Sequence, residues 1–215
     1  MDAIVESTPL FLEGLLGTLK LLGLAGVGAF ILGMIVASMR ISPVPALRIF
    51  ATVYTEVIRN IPLLLTLFFC AYVLPYLQVK LDFFTLAAIG LTAYTSPFVA
   101  EAIRSGFNGV PVGQAEAARS IGLNFTQTVS LVILPQAIRM VIPPLINVFI
   151  ALTKNTSVAG AFFVFELFKA ANTAARDFGN AVIPLLLYVA LLYLVITVPL
   201  GLIAGAIEKK VAVLR

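Results

Sequence analysis

The side chains able to do chemistry in this chain are few and lie inside apolar sequence. Lys154, Asn155, Thr156 and Ser157 are consecutive, within a stretch from Met140 to Phe165 whose only charge is Lys154. Lys154 and the two hydroxyls are donors suited to a carboxylate, and Asn155, or Glu101 from upstream, supplies an acceptor suited to an ammonium. Together they could hold a small zwitterion. Glu101 and Arg104 are three residues apart, so on a helix they share a face and can pair. Ionisable groups deep in an apolar span are costly unless paired or wetted, and so mark pathways, although both can also snorkel to the headgroups. The run from Met140 to Thr153 is short for a crossing. Either a span ends at Lys154, begins near Pro135 and takes in Arg139, or the polar quartet falls partway through a longer stretch. In the second case it would break the helix or line a cavity, with Gly160 nearby to permit a turn.

Other chemistries are excluded by residue counts. The chain has no histidine, which removes histidine proton relays and most zinc sites, and the single Cys70 reads as a small core residue. A phosphate-cradling loop needs a lysine after a glycine, and none of the six lysines follows one. Any energy for work therefore comes from a passive gradient, a coupled ion or another subunit.

The elements that must position these residues are membrane helices. Of the 215 residues, 61% are hydrophobic and 11% charged, far from the roughly one-quarter charged content of soluble domains. Charge-free runs at Leu21–Met39, Asn60–Val79, Phe83–Ala100 and Phe178–Ile207 are each near the roughly 20 residues that a crossing needs. Five spans are predicted, at about 14–39, 60–79, 83–107, 136–154 and 179–207, in one all-α membrane domain over 1–215. The first twenty residues carry Asp2, Glu6 and Glu13 and lack a basic start, so the first span is expected to be retained rather than cleaved. Nine Lys and Arg fall in 40–59, 101–139 and the C-terminus, against five (Lys20, Lys80, Lys154, Lys169 and Arg176) on the other side. That asymmetry places the N-terminus outside and the C-terminus in the cytoplasm, and explains the net charge of +4 by topology rather than nucleic acid.

The two long polar connections, 46–62 and 108–135, lie on the basic side. In the first, Glu56 and Arg59 can pair at i, i+3, and Pro62 can open the second span. In the second, Gly113 to Leu123 reads as a short helix with Gly122 as its C-cap, and Ala117 and Ala118 are small enough for another backbone to approach. Glu116 can favour that helix's N-terminus, with Arg119 three residues on.

The spacing Glu116-Ala117-Ala118, three residues, Gly122, nine residues, Val132-Ile133-Leu134-Pro135 resembles the cytoplasmic EAA loop of ABC importer permeases. Val132 replaces the usual Ile. Tyr54 to Leu64 resembles the Tyr-x-x-x-(Ile/Phe)-Arg-x-x-Pro-Leu-Leu signature of the polar amino acid branch, and Leu152 to Ser157 resembles its corresponding segment. The blocks Met39–Val44, Phe69-Cys70 and Tyr94-Thr95-Ser96 look most like actinobacterial glutamate-uptake permeases.

The resemblance implies a type I importer permease fold in a bacterial plasma membrane, carrying glutamate or a related amino acid. It implies coupling to an ATPase through Gly113, Glu116, Ala117, Ala118, Gly122, Leu134 and Pro135, with Lys154, Asn155, Thr156, Ser157, Glu101 and Arg104 as pathway candidates. The implied partners are ABC ATPase subunits, which carry the ATP and magnesium, a second permease subunit and an extracytoplasmic amino acid-binding protein. This chain itself would need no cofactor and would not be an enzyme. The segment from Phe162 to Asp177 could be an outward-facing interfacial helix that receives the binding protein, with Glu166 and Lys169 at i, i+3. The competing reading is an ion-driven carrier or channel without an ATPase, which would need intramembrane acids or inverted repeats that the sequence does not display.

Overall fold

Asp2–Glu6 forms a short helical turn, and the apolar run after it becomes helix α1, Thr8–Arg40, with Pro9 in its first turn. The computed structural model describes residues 2–212, almost all of them helical and none in a strand. α1 starts several residues before the predicted 14, because Thr8-Pro9 rather than the first charge-free residue sets the helix start.

Two helices follow in place of one connection and one span: α2, Pro45–Asn60, and α3, Leu63–Tyr76, meeting at 103°. Pro62 disfavours a helical Ile61 and donates no N–H, so both residues are extended and the helix must break there. The polar connection predicted over 46–62 is thus corrected. α2 packs Ala51 against Val36 and Ala37 of α1 and against Ala100 of the next long helix. That helix, α4, spans Phe83–Asn108, close to expectation. The Tyr54 hydroxyl donates to the Ala93 carbonyl (2.9 Å) and meets Ser96 Oγ (2.8 Å), both midway along α4. α2 and α3 together make a bent pair, with α2 held against the middle of α4. The expected Glu56–Arg59 pair does not form: Glu56 is exposed and the Arg59 guanidinium lies over the Phe98 ring.

Asp82 caps α4, accepting from the Thr85 N–H (3.0 Å) and hydroxyl (2.7 Å), and this capping pulls its exposed carboxyl below the usual range. A short helix α5, Val112–Ser120, then leads to α6, Phe125–Phe162. α6 is far longer than the predicted 136–154. α7 covers Leu167–Asp177 and α8 covers Val182–Ala212.

The widened π segments Phe69–Val73 and Thr128–Ile133 each run directly into a Leu-Pro pair, Leu74-Pro75 and Leu134-Pro135. A proline clashes with the carbonyl four residues back and leaves it unpaired, and π widening relieves that locally. The Lys154 to Ser157 quartet does not break α6, contrary to one expectation. Thr156 Oγ1 donates to the Thr153 carbonyl and Ser157 Oγ to the Lys154 carbonyl, both at 2.7 Å, so the helix absorbs its own hydroxyls.

α1 lies along α4, α4 along α6, and α6 along α8, with α7 wedged on α1 and α8. The α4–α6 approach is close enough that a Cβ on Gly106 would come within 2.9 Å of the Val141 nitrogen. Phe11, near the start of α1, packs with Leu185 and Val189 near the start of α8, so these two helix starts share one end of the bundle.

Candidate functional site

A polar cavity of about 490 Å³ lies between the middle of α4 and α6. Tyr94, Thr95 and Phe98 line it from α4, and Asn147, Ala151 and Asn155 from α6. No charged side chain lines it. The Thr95 hydroxyl is buried beside it without a hydrogen-bond partner, a state that costs about 1–3 kcal/mol. Asn147, Ala151 and Asn155 are spaced by four and so share one helix face.

The predicted pathway residues are not gathered at this cavity. Asn155 lines it. Lys154 is exposed beside it, Thr156 is buried, and Ser157 is half-buried with its hydroxyl turned to its own helix. Glu101 and Arg104 do pair, but as part of a clasp at the inner ends of α1 and α4. Glu101 accepts from Arg40 at 2.7 Å and from Arg104 Nε at 3.1 Å, and Arg104 Nη2 also contacts its second oxygen. Arg104 lines a separate, almost wholly apolar groove between α1, α4 and α6. Tyr94, Thr95, Phe98 and Asn147 escaped the sequence reading as site residues. The four-residue spacing of Asn147 and Asn155 around Ala151 was the available signal.

The second candidate feature is α5. Its C-terminus is closed by two bonds, Leu123 N–H to the Ala118 carbonyl (3.2 Å) and Gly122 N–H to the Arg119 carbonyl (3.0 Å). This is the Schellman pattern, and it puts Gly122 at φ +90°, which explains a glycine there. A capping box of Asn124 and Gln127 then starts α6. The two alanines separate in role. Ala118 is buried (4% exposed) on the side where α5 packs against Thr128–Ile133, whereas Ala117 is exposed. Only Ala117 is open to an approaching backbone, which corrects the reading that gave both alanines that surface. Gly113, Glu116 and Ile121 are also exposed, as is Phe125 just beyond. Glu116 stands beyond the first turn of α5, so it is not the N-terminal charge expected, and Arg119 Nε donates to the Ala115 carbonyl. Leu134 and Pro135 are exposed at the end of the π segment.

At the opposite end of the bundle, the backbone at Phe165-Glu166 crosses Gly14 and Gly17 of α1. Glu166 is fully buried and accepts from the N–H groups of Phe168 (2.8 Å) and Lys169 (2.7 Å) and from the Tyr193 hydroxyl (2.8 Å). Burial pushes its carboxyl above the usual range, and the three donors oppose that. Leu167 N–H donates to Thr18 Oγ1 (3.1 Å). Lys169, Asn172 and Arg176 line an open hollow on the other side of α7.

Comparison with known proteins bears on both features. The family described as binding-protein-dependent transport system inner membrane component matches residues 29–213. Over 98% of its length the chain is 41% identical to the probable glutamine ABC transporter permease protein GlnM of Bacillus subtilis, covering 97% of that protein. It is 40% identical to the glutamate transport system permease protein GluC of Corynebacterium glutamicum, over 91% of each chain. Its fold superposes on a crystal structure of an amino acid ABC transporter with histidines at a TM-score of 0.89, with 32% identity and 96% of each chain covered. The inward-facing MetNI methionine ABC transporter gives a TM-score of 0.73 over 95% of this chain and 97% of that one; at 19% identity this likeness speaks to the fold alone.

Proposed function

The chain belongs to the binding-protein-dependent transport system inner membrane components, and from that premise we propose that it forms one half of the route by which an ABC importer brings a polar amino acid of the glutamine–glutamate class into the cell. It is a multi-pass permease subunit of the membrane, not an enzyme. A separate ATPase handles ATP and magnesium, and a binding protein outside delivers the solute.

The observation that carries this reading is the continuity of α6. That helix starts at Phe125, two residues past the Gly122-Leu123 turn that closes α5, and reaches Asn155 at the cavity without a break. At about 1.5 Å per residue it links the two features over roughly 45 Å. A push on the exposed face of α5 is thereby delivered to the wall of a polar cavity in the middle of an apolar bundle.

In this account ATPase closure moves α5, α6 tilts, and access to the cavity alternates between the two sides. A second permease subunit completes the pathway. Leu187, Leu191, Leu194 and Val195 leave α8 with an uncovered apolar face for that subunit or for lipid. The hollow bearing Lys169 and Arg176 offers a positive face to an acidic surface of the binding protein.

The test is uptake into proteoliposomes by the assembled complex, across a panel of amino acids. Accumulation of glutamine or glutamate that requires ATP and the ATPase is the expected result. Gradient-driven uptake by this chain alone would favour the carrier reading instead.

A further inference from the structure

Arg59 is three residues before Pro62, at the break in the bent crossing. Its guanidinium lies 5.5 Å from the centroid of the Phe98 ring, and Phe98 is a wall of the polar cavity. Tyr54, on the same helix, is bonded to Ala93 and Ser96, which fixes this end of α2 against the middle of α4. Among the described residues the ion pairs are Arg40–Glu101 and Arg104–Glu101, so the Arg59 guanidinium faces no carboxylate. Arg59 is exposed and stands just outside the cavity lining, and the aromatic face satisfies only part of what its guanidinium can bind, so its donors are open to a ligand. The cavity beside it is complementary. It carries the amides of Asn147 and Asn155, with no charge in its lining.

We propose that Arg59 takes the α-carboxylate of the amino acid in transit, while Asn147 and Asn155 hydrogen-bond a neutral polar side chain. The pathway is then built for an amide-bearing zwitterion of the glutamine type in preference to glutamate. The inference rests on the proposed function and adds to it the residue that recognises the substrate and the class of side chain accepted. A guanidinium fork matches a carboxylate in two parallel hydrogen bonds, which a lysine cannot reproduce. A second carboxylate would enter a cavity that offers it no cation.

The experiment is calorimetric titration of the permease–ATPase complex, prepared without binding protein so that its selectivity does not intervene. The ligands are L-glutamine, its α-amide, which lacks the carboxylate, and L-glutamate. The wild type is expected to bind glutamine about ten-fold or more tighter than either of the others. Arg59→Gln should weaken glutamine by about 10- to 100-fold and leave the α-amide unchanged, so that the discrimination collapses. Arg59→Lys should recover part of it. Glutamine affinity unchanged in Arg59→Gln, or an equal loss for glutamine and its α-amide, overturns the role of Arg59 while leaving the proposed function standing. Tighter binding of glutamate than glutamine overturns the assignment of the side-chain subsite. A wild-type complex that binds no ligand and, with its binding protein restored, takes up no amino acid overturns the proposed function itself.

Discussion

Helices α5 and α7 are of similar length and lie at opposite ends of the bundle, yet they are held in opposite ways. α5 is closed by contacts within its own neighbourhood: the turn at Gly122, the capping box at Asn124 and the inward Ala118. Nearly all of its remaining surface is exposed. α7 buries Leu167, Ala170, Ala171 and Ala174, and its N-terminus is bound to Thr18 on α1 and Tyr193 on α8. One is a handle left free for a partner to grip. The other is fastened to the bundle and moves only with it. The difference teaches that a short helix can serve force transmission at one end of a permease and rigidity at the other, and that its neighbours decide which.

The same substitutions applied to both helices break or confirm this contrast. The largest effect is expected at the two glutamates. Glu166→Ala strips the acceptor from three donors around a buried site and should cost roughly 2–4 kcal/mol, read as a fall in the thermal midpoint of the purified protein. Glu116→Ala, on the exposed face of α5, should stay within about 0.5 kcal/mol. Equal effects would mean that the two helices are held alike.

Glycines come next. A Cβ on Gly17 would run into the Phe165 carbonyl oxygen, a backbone atom, so Gly17→Ala should cost about 1–3 kcal/mol. Gly113 has nothing within 4 Å, and Gly113→Ala should be neutral or stabilise by up to about 1 kcal/mol through helix propensity. The exception on α5 is its end. Gly122→Ala forces a left-handed backbone on an L side chain and should cost about 1–2 kcal/mol, with Gly122→Asn recovering part.

The smallest perturbation is a probe. Ala117→Cys should label readily in the isolated permease and be protected once the ATPase is bound, whereas Ala118→Cys should label slowly in both. The native Cys70 is buried and should contribute little background. Labelling of position 118 that matched position 117 would mean that α5 does not pack as described.

What could be read from sequence follows the same contrast. Every constraint on α5 lies between Pro111 and Pro135, so spacing alone exposed its turn, its cap and its small residues. The fastening of α7 joins Thr18 to Leu167 and Tyr193 to Glu166, and no local pattern reports such distances. The predicted span over 60–79 holds α3, but the helix before it was missed because its arginines were counted as loop residues, and no count of charges reports that Tyr54 reaches Ala93 and Ser96. Of the Lys154 quartet Asn155 lines the cavity, whereas the Thr156 and Ser157 hydroxyls, which look free in sequence, return to their own helix. Glu101 and Arg104 were correctly paired, but Arg40, from a helix end 61 residues earlier, made the pair a clasp between α1 and α4.

The central claim is that force enters through the exposed face of α5. Ala117→Arg places a long charged side chain on that face while leaving the buried Ala118 contact in place. ATP-driven amino acid uptake should fall to background and the ATPase should no longer copurify, with the thermal midpoint of the permease unchanged. Uptake at the wild-type rate with the ATPase still bound would contradict the account.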